Sequence, residues 1–398
     1  MPPSAGIHNE YHCCYSSAVV QALTHCRSFR ERLLDIRMNR ASASARPMTI
    51  AIQSFVRSIY RTRTAENNRD QNDIDVDSHG VVHPEALLRA FYTCCPGRLS
   101  PGQQNDAQEF LAVLVDRLDT EDLFDDAPMT SFTSATATTS VTTATVFSEP
   151  ETRKAKAFLA LSDTMREHWN KSTGRPGRYQ SGPVRHSWAT DVLAGQYVSQ
   201  VRCEACKYIC HNGEVLTQVP IEARSSVSDG LRRFFADESV SGWRCDKCDR
   251  NDSGTKLYRC WKLPPVLVLV VRRFDGFGKK DNTAIAIDEQ LDLGPYTVPT
   301  DKNGIYSDAY DLTAVVCHSG SMSSGHYVAV CAADDRMTTT RLDQMCEEVF
   351  SPSWYLYDDE SVSRCEAPGR FKQASRTAYL LMYERRSKNY LKRSSSIC

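Results

Sequence analysis

Two Cys-x-x-Cys pairs, Cys203-Glu204-Ala205-Cys206 and Cys245-Asp246-Lys247-Cys248, constrain this chain more than any other feature of its sequence. Each pair can grip one side of a tetrahedral ion. Four thiolates fill the coordination of Zn²⁺ and leave no open position, so the metal they imply is structural rather than catalytic. Cys210, His211 and Cys260 lie nearby but are surplus to that set. The gap between the pairs, residues 207–244, is longer than in a short zinc ribbon, so the knuckles are expected at the tips of separate hairpins. The competing reading is four unrelated buried thiols.

The remaining composition narrows the class. The chain has 398 residues, 16 of them cysteine, with 24% charged residues and a net charge of −1. That length admits a large core, and a near-neutral charge supplies no basic field for nucleic acid or an anionic membrane. Asp246, Lys247, Asp249 and Arg250 nearly cancel around the second knuckle, which ranks a zinc-ribbon nucleic-acid binder low. The opening residues lack the charged and apolar regions of a secretory signal, and the longest apolar run, 263–271, is too short to span a bilayer. A soluble intracellular protein, cytoplasmic or nuclear, is expected, with cysteines serving metal binding or catalysis rather than disulfides.

Taken in order, the pattern is helical first. One amphipathic helix is expected over 15–36, a second over 49–61, a third from about His83 with Pro84 in its first turn, and a fourth from about 104 to 118. Residues 127–150 are Thr-rich and of low complexity and read as a flexible insertion; a helix is expected near 154–168. From about 196 the pattern turns to strands. Val266–Val271 is a continuous β-branched run and reads as a buried central strand, with further strands at 312–316, 327–331, 354–357 and 378–383. The C-terminal half is therefore expected to be mostly antiparallel sheet.

A second constellation concerns nucleophilic chemistry. Cys13 and Cys14 lie in a polar turn just before the first helix. A cysteine at a helix start meets unpaired N–H groups and the positive end of the dipole, which lowers its pKa and favours thiolate. Gly325-His326-Tyr327 opens one strand, and Asp358-Asp359 ends another. Antiparallel neighbours would bring Asp358 beside His326, where a carboxylate fixes the imidazole tautomer and stabilises imidazolium. Alone, each is a weak signal: such a histidine is commonly structural, and Asp-Asp at a strand end commonly marks a turn. Together they have the Cys…His…Asp order of papain-like cysteine peptidases.

The sequence resembles the ubiquitin-specific protease family. Gly6-Ile7-x-Asn9 followed by Cys14-Tyr15 and Gln21 resembles its Cys box, and Gln104 through Leu111 resembles its Gln-x-Asp-Ala-x-Glu-Phe segment. Lys262 through Leu267 running to Arg272-Arg273-Phe274, His318-x-Gly320, Gly325-His326-Tyr327, Trp354, Asp358-Asp359 and Val362 resemble later family segments, ending at 378–383. The sequence departs from the family at Tyr11-His12-Cys13, where Tyr11 replaces a glycine, and at Ser17-Ala18.

The resemblance implies an α+β, papain-like domain of thumb, palm and fingers. The thumb would occupy 1–195, zinc-binding fingers 196–262 and palm 263–385, with a short basic tail at 386–398. It implies Cys14 as nucleophile, His326 as general base and then acid, Asp358 as its orienting partner and Asp359 as a polar helper. Asn9 would donate to the oxyanion. Gln104, Asp106 and Glu109 would line the channel for the basic, Gly-Gly-ending tail of ubiquitin; helix capping is the competing reading for Asp106 and Glu109. The implied activity is hydrolysis of the isopeptide bond after ubiquitin through a thioester. The implied partners are ubiquitin and its conjugates, with no nucleic acid or membrane, and the enzyme would act as a monomer. A weak or inactive ubiquitin receptor and a protease for another ubiquitin-like modifier remain as alternatives.

Overall fold

The computed structural model describes residues 5–9, 12–37, 44–61, 80–123, 187–297, 306–322, 324–333, 352–365 and 371–387. The segment 127–150, the helix expected near 154–168, Tyr11 and the tail beyond 387 lie outside them.

Among the described residues, six helices come first: α1 (Cys14–His25), α2 (Arg27–Asp35), α3 (Pro47–Arg61), α4 (Glu85–Cys94), α5 (Ala107–Leu123) and α6 (Trp188–Leu193). The strands are β1 (Gly195–Cys203), β2 (Ile209–Leu216), β3 (Val219–Glu222), β4 (Glu238–Arg244), β5 (Asn251–Lys262), β6 (Val266–Arg272), β7 (Gln290–Asp292), β8 (Tyr306–Gly320), β9 (Gly325–Ala332), β10 (Trp354–Asp358), β11 (Ser361–Cys365) and β12 (Ala378–Ser387). Two further helices, α7 (Val227–Phe234) and α8 (Ala374–Thr377), lie among them. The large sheet runs β11-β10-β9-β8-β12-β6-β3, with β7 also pairing β8; the small sheet runs β2-β1-β5-β4.

The period of two along β6 explains its unbroken apolar run. Val266, Val268 and Val270 face one core with α1 through α6, whereas Leu267, Leu269 and Val271 face a second core with α7 and Tyr197. A strand covered on both faces has no solvent side to fill with polar residues. α1 is likewise buried all round, between β8 and β9 on one side and α5 on the other. β3 departs from the antiparallel expectation: it runs parallel to β6. The whole arm β4–β5 and α7 intervene between the two, which is ample for a crossover.

The single helix expected over 15–36 is two helices. The chain turns at Cys26, whose ψ is 110°. Glu384, on β12, accepts the backbone N–H groups of Arg27 and Ser28, each at 2.7 Å. A carboxylate at a new helix start satisfies donors that a continuous helix would have paired internally. Glu121 does the same for α3, accepting the N–H groups of Met48 and Thr49.

Candidate active site and metal centre

The small sheet ends in the candidate metal centre. Cys203 and Cys206 close the β1–β2 hairpin, Cys245 and Cys248 close the β4–β5 hairpin, and β1 pairs directly with β5. The two turns match. Cys203 N–H donates to the Tyr208 carbonyl at 2.8 Å and Cys245 N–H to the Arg250 carbonyl at 3.0 Å; Lys207 and Asp249 take positive φ of 59° and 58°. All four sulfurs lie within 4.8 Å of one another, with Cys203–Cys248 at 3.8 Å and Cys206–Cys245 at 3.6 Å. A tetrahedron of metal–sulfur bonds of about 2.3 Å has edges of about 3.8 Å, so this donor set fits a four-thiolate metal ion.

The second site lies where α1 meets β9. Cys14 is the first residue of α1 and is almost fully buried. The expectation of a lowered thiol pKa does not hold: burial pushes it up, aided by the charge of Asp359 and opposed by backbone N–H groups, chiefly that of Tyr327. Removing water costs the thiolate more than the helix start returns. The Tyr327 contact places the sulfur one residue past His326. No hydrogen bond joins Cys14 to His326 among the described residues. Cys13 turns away, its thiol directed at the His8 carbonyl and Ser17 Oγ.

Pairing of β8 with β9 sets Ser319 opposite His326, and β10 lies on the other side of β9. His326 Nε2 thereby meets Asp358 Oδ1 at 2.6 Å, with Asp359 Oδ2 at 3.9 Å. A carboxylate on Nε2 holds the proton there and leaves Nδ1 as the basic nitrogen. Asp359 has a φ of 51°, a left-handed turn that Asp tolerates and that swings its side chain back towards the N-terminal segment. There Asn9 Nδ2 donates to Asp359 Oδ2 at 2.7 Å while Asn9 Oδ1 accepts the Cys13 N–H at 2.8 Å. Burial holds the Asp359 carboxyl above its usual range, against the pull of Asn9 and His326. One amide N–H of Asn9 goes to Asp359, and its carbonyl oxygen is taken by the Cys13 N–H, so one N–H of the amide is left over. Gly6 packs so tightly on Glu360 that a Cβ would fall 2.2 Å from its carbonyl oxygen. Ile7 N–H donates to the Asp359 carbonyl at 2.9 Å.

A groove of about 300 Å³ lies beside this centre. His318, Tyr327 and Tyr379 line it as an aromatic group, with ring centroids 4.5 to 6.4 Å apart. Gln104 lines it and accepts the Gly325 N–H at 2.8 Å. Asp106 caps α5 by accepting the N–H groups of Gln108 and Glu109, and its other oxygen accepts the Tyr379 hydroxyl at 2.7 Å. Glu109 is exposed in the first turn of α5 and does not line the groove. His318 and Tyr379 line the groove, and Lys280 contacts His318 from outside its lining; in the sequence His318 and Tyr379 stand out only within family-like segments, with no role, and Lys280 does not stand out.

The profile of the ubiquitin carboxyl-terminal hydrolase family matches residues 5–383. The chain belongs to that family. It is 26% identical over 402 residues to ubiquitin carboxyl-terminal hydrolase 21 of Homo sapiens, covering 95% of this chain and 61% of that protein. It is 30% identical over 205 residues to ubiquitin carboxyl-terminal hydrolase 19 of Arabidopsis thaliana, covering 49% of this chain and 27% of that protein. The fold is shared with the SAGA Ubp8/Sgf11/Sus1/Sgf73 DUB module bound to ubiquitin aldehyde, at a TM-score of 0.63 and 17% identity, over 96% of this chain and 70% of that chain. Within the family, the chain spans about three fifths of the length of the human relative.

Proposed function

We propose that the protein is a thiol-dependent deubiquitinase that cleaves the isopeptide bond after the C-terminal glycine of ubiquitin. One observation carries the reading: the Cys14 sulfur sits at the Tyr327 backbone, one residue past a histidine whose Nε2 is engaged by Asp358. Nδ1 of His326 would take the thiol proton as Cys14 attacks the carbonyl carbon. The free N–H of Asn9 would meet the oxyanion. The imidazolium would return the proton to the leaving lysine amine, giving a thioester that water hydrolyses. Asp359 holds Asn9 rather than touching substrate. The groove lined by Gln104 and Asp106 would receive the basic tail, and Glu109 would act from its rim. Zn²⁺ would occupy the four-cysteine site and hold the two hairpins as one arm. The enzyme acts as a monomer on ubiquitin conjugates in the cytoplasm or nucleus.

The raised Cys14 pKa, with no bond from Cys14 to His326, favours a second reading: a ubiquitin receptor with little hydrolytic activity. A ubiquitin probe with a C-terminal electrophile separates the two. Labelling that survives Cys13→Ala and disappears in Cys14→Ala is expected. Measurable ubiquitin binding with no labelling would instead establish the receptor, and labelling only by a probe built on another modifier would change the substrate.

A further inference from the structure

Lys280 occupies a position that the proposed chemistry does not use. It closes a short hairpin between β6 and β7, in which Phe274 and Lys280 form an antiparallel bridge and Asp275 N–H donates to the Lys279 carbonyl. Its ammonium lies over the Phe274 ring of that hairpin and reaches the next one. It donates to the His318 carbonyl at 2.7 Å and the Gly320 carbonyl at 3.2 Å, and lies 3.1 Å from His318 Nδ1. Three acceptors match the three donors of an ammonium group. None of these three acceptors is a carboxylate; the ammonium is held by two carbonyls, an imidazole nitrogen and the face of the Phe274 ring, 5.7 Å from its centroid.

The acceptors sit at the base of the β8–β9 hairpin. Gly320 takes a φ of 124°, Ser321 N–H donates to the Ser324 carbonyl, and Gly325 packs on the His318 ring so closely that a Cβ would fall 2.1 Å from Nε2. The hairpin is gripped from the helical side as well, through Gln104 and the Gly325 N–H. Its exposed tip residue, Met322, comes within 3.2 Å of a Cβ built on Gly278 of the first hairpin. His326 shares that ladder, opposite Ser319, but has an anchor of its own in Asp358 on β10.

We propose that Lys280 is a positioning residue that fastens the two hairpins together and thereby sets the opening of the groove for the ubiquitin tail. The inference rests on the functional reading above for the identity of that tail. Lys280 does not touch the reacting atoms. Its loss widens the groove and weakens capture of substrate while leaving the Cys14–His326–Asp358 chemistry in place.

The test compares wild type, Lys280→Met and Lys280→Arg in the full chain with three readouts. With ubiquitin carrying a C-terminal aminocoumarin amide, Lys280→Met raises KM about tenfold or more with kcat changed by less than about threefold, and Lys280→Arg recovers at least part of the loss; tenfold corresponds to about 1.4 kcal/mol. Alkylation of Cys14 by iodoacetamide, which needs no groove, keeps the wild-type pH profile. Amide hydrogen exchange over 320–325 speeds up in Lys280→Met. Unchanged KM together with unchanged exchange overturns the proposal, and so does an equal loss in hydrolysis and alkylation, which marks a collapsed site. A wild-type protein that fails to cleave the ubiquitin amide overturns the functional reading, and the exchange comparison still decides the fastening.

Discussion

His318 offers a quantitative test of the groove's electrostatics. It is 4% exposed, and burial, with the charge of Lys280 beside it, lowers its pKa from 6.5 to about 4. The folded protein therefore resists a proton that the unfolded chain accepts. The stability this represents is fully present above the unfolded pKa of 6.5 and is lost as pH falls towards 4. At about 1.4 kcal/mol per pH unit, the loss reaches about 3 kcal/mol below pH 4 and about 2–3 kcal/mol at pH 4.5. That is a large share of the roughly 5–15 kcal/mol that holds a typical protein folded. His318→Gln keeps an acceptor for Lys280 and has no proton to gain. Urea unfolding at pH 7.0 and 4.5 measures the difference: wild type loses about 2–3 kcal/mol more than His318→Gln, because the carboxylates titrate alike in both. Equal losses in the two proteins would refute the reasoning, since they would mean that His318 titrates in the native state much as it does in the unfolded chain.

Other expectations concern the two sites. The rate of Cys14 alkylation in the free protein keeps rising with pH beyond 9, because its pKa is raised; a plateau below pH 7 would reveal a preformed thiolate–imidazolium pair instead. His326→Ala lowers kcat on a ubiquitin amide by about 10²–10⁴, and Asn9→Ala lowers it by about 10²–10³, provided that melting temperatures confirm folded proteins. Elemental analysis finds one zinc per chain, and Cys245→Ser releases it. Loss of several kcal/mol there lowers the melting temperature by about 2–4 °C per kcal/mol. Gly325→Ala forces a Cβ against His318 Nε2 and the Ser319 carbonyl, so it lowers both the melting temperature and kcat; wild-type values for both would refute the packing.

Much of this protein could be read from spacing. The knuckles appear where expected, at the tips of two hairpins, with four sulfurs gathered within 4.8 Å, because a Cys-x-x-Cys pair fits the tight turn that closes a hairpin. The strand at 266–271 was legible because a strand covered on both faces has no polar positions to confuse the pattern. His326 and Asp358 could be paired because both sit on strong strands near their ends, where antiparallel neighbours align.

The failures share a cause as well. The break at Cys26 depends on Glu384, more than 350 residues away in sequence, and no local propensity at Cys26 announces it. A helix start, which would lower the Cys14 pKa, is visible in the sequence, whereas the burial beneath β9 that raises it is not. Asn9 illustrates the same divide. The family resemblance implies an oxyanion donor at Asn9, but only the fold shows one of its donors committed to Asp359.

The sequence by itself determined which groups are present and how the two halves of the chain differ: thiols paired for a metal, a cysteine ahead of a helix, a histidine and carboxylates on later strands. Those features follow from residue type and short spacing. Only the tertiary structure decided how the groups are charged and what each one holds. Burial, and contacts between residues tens to hundreds of positions apart, raise the Cys14 thiol, keep His318 neutral and set the Lys280 ammonium between two hairpins. Desolvation and long-range hydrogen bonding depend on distances in space, and these arise only once the sheet has brought β6, β8, β9 and β10 together.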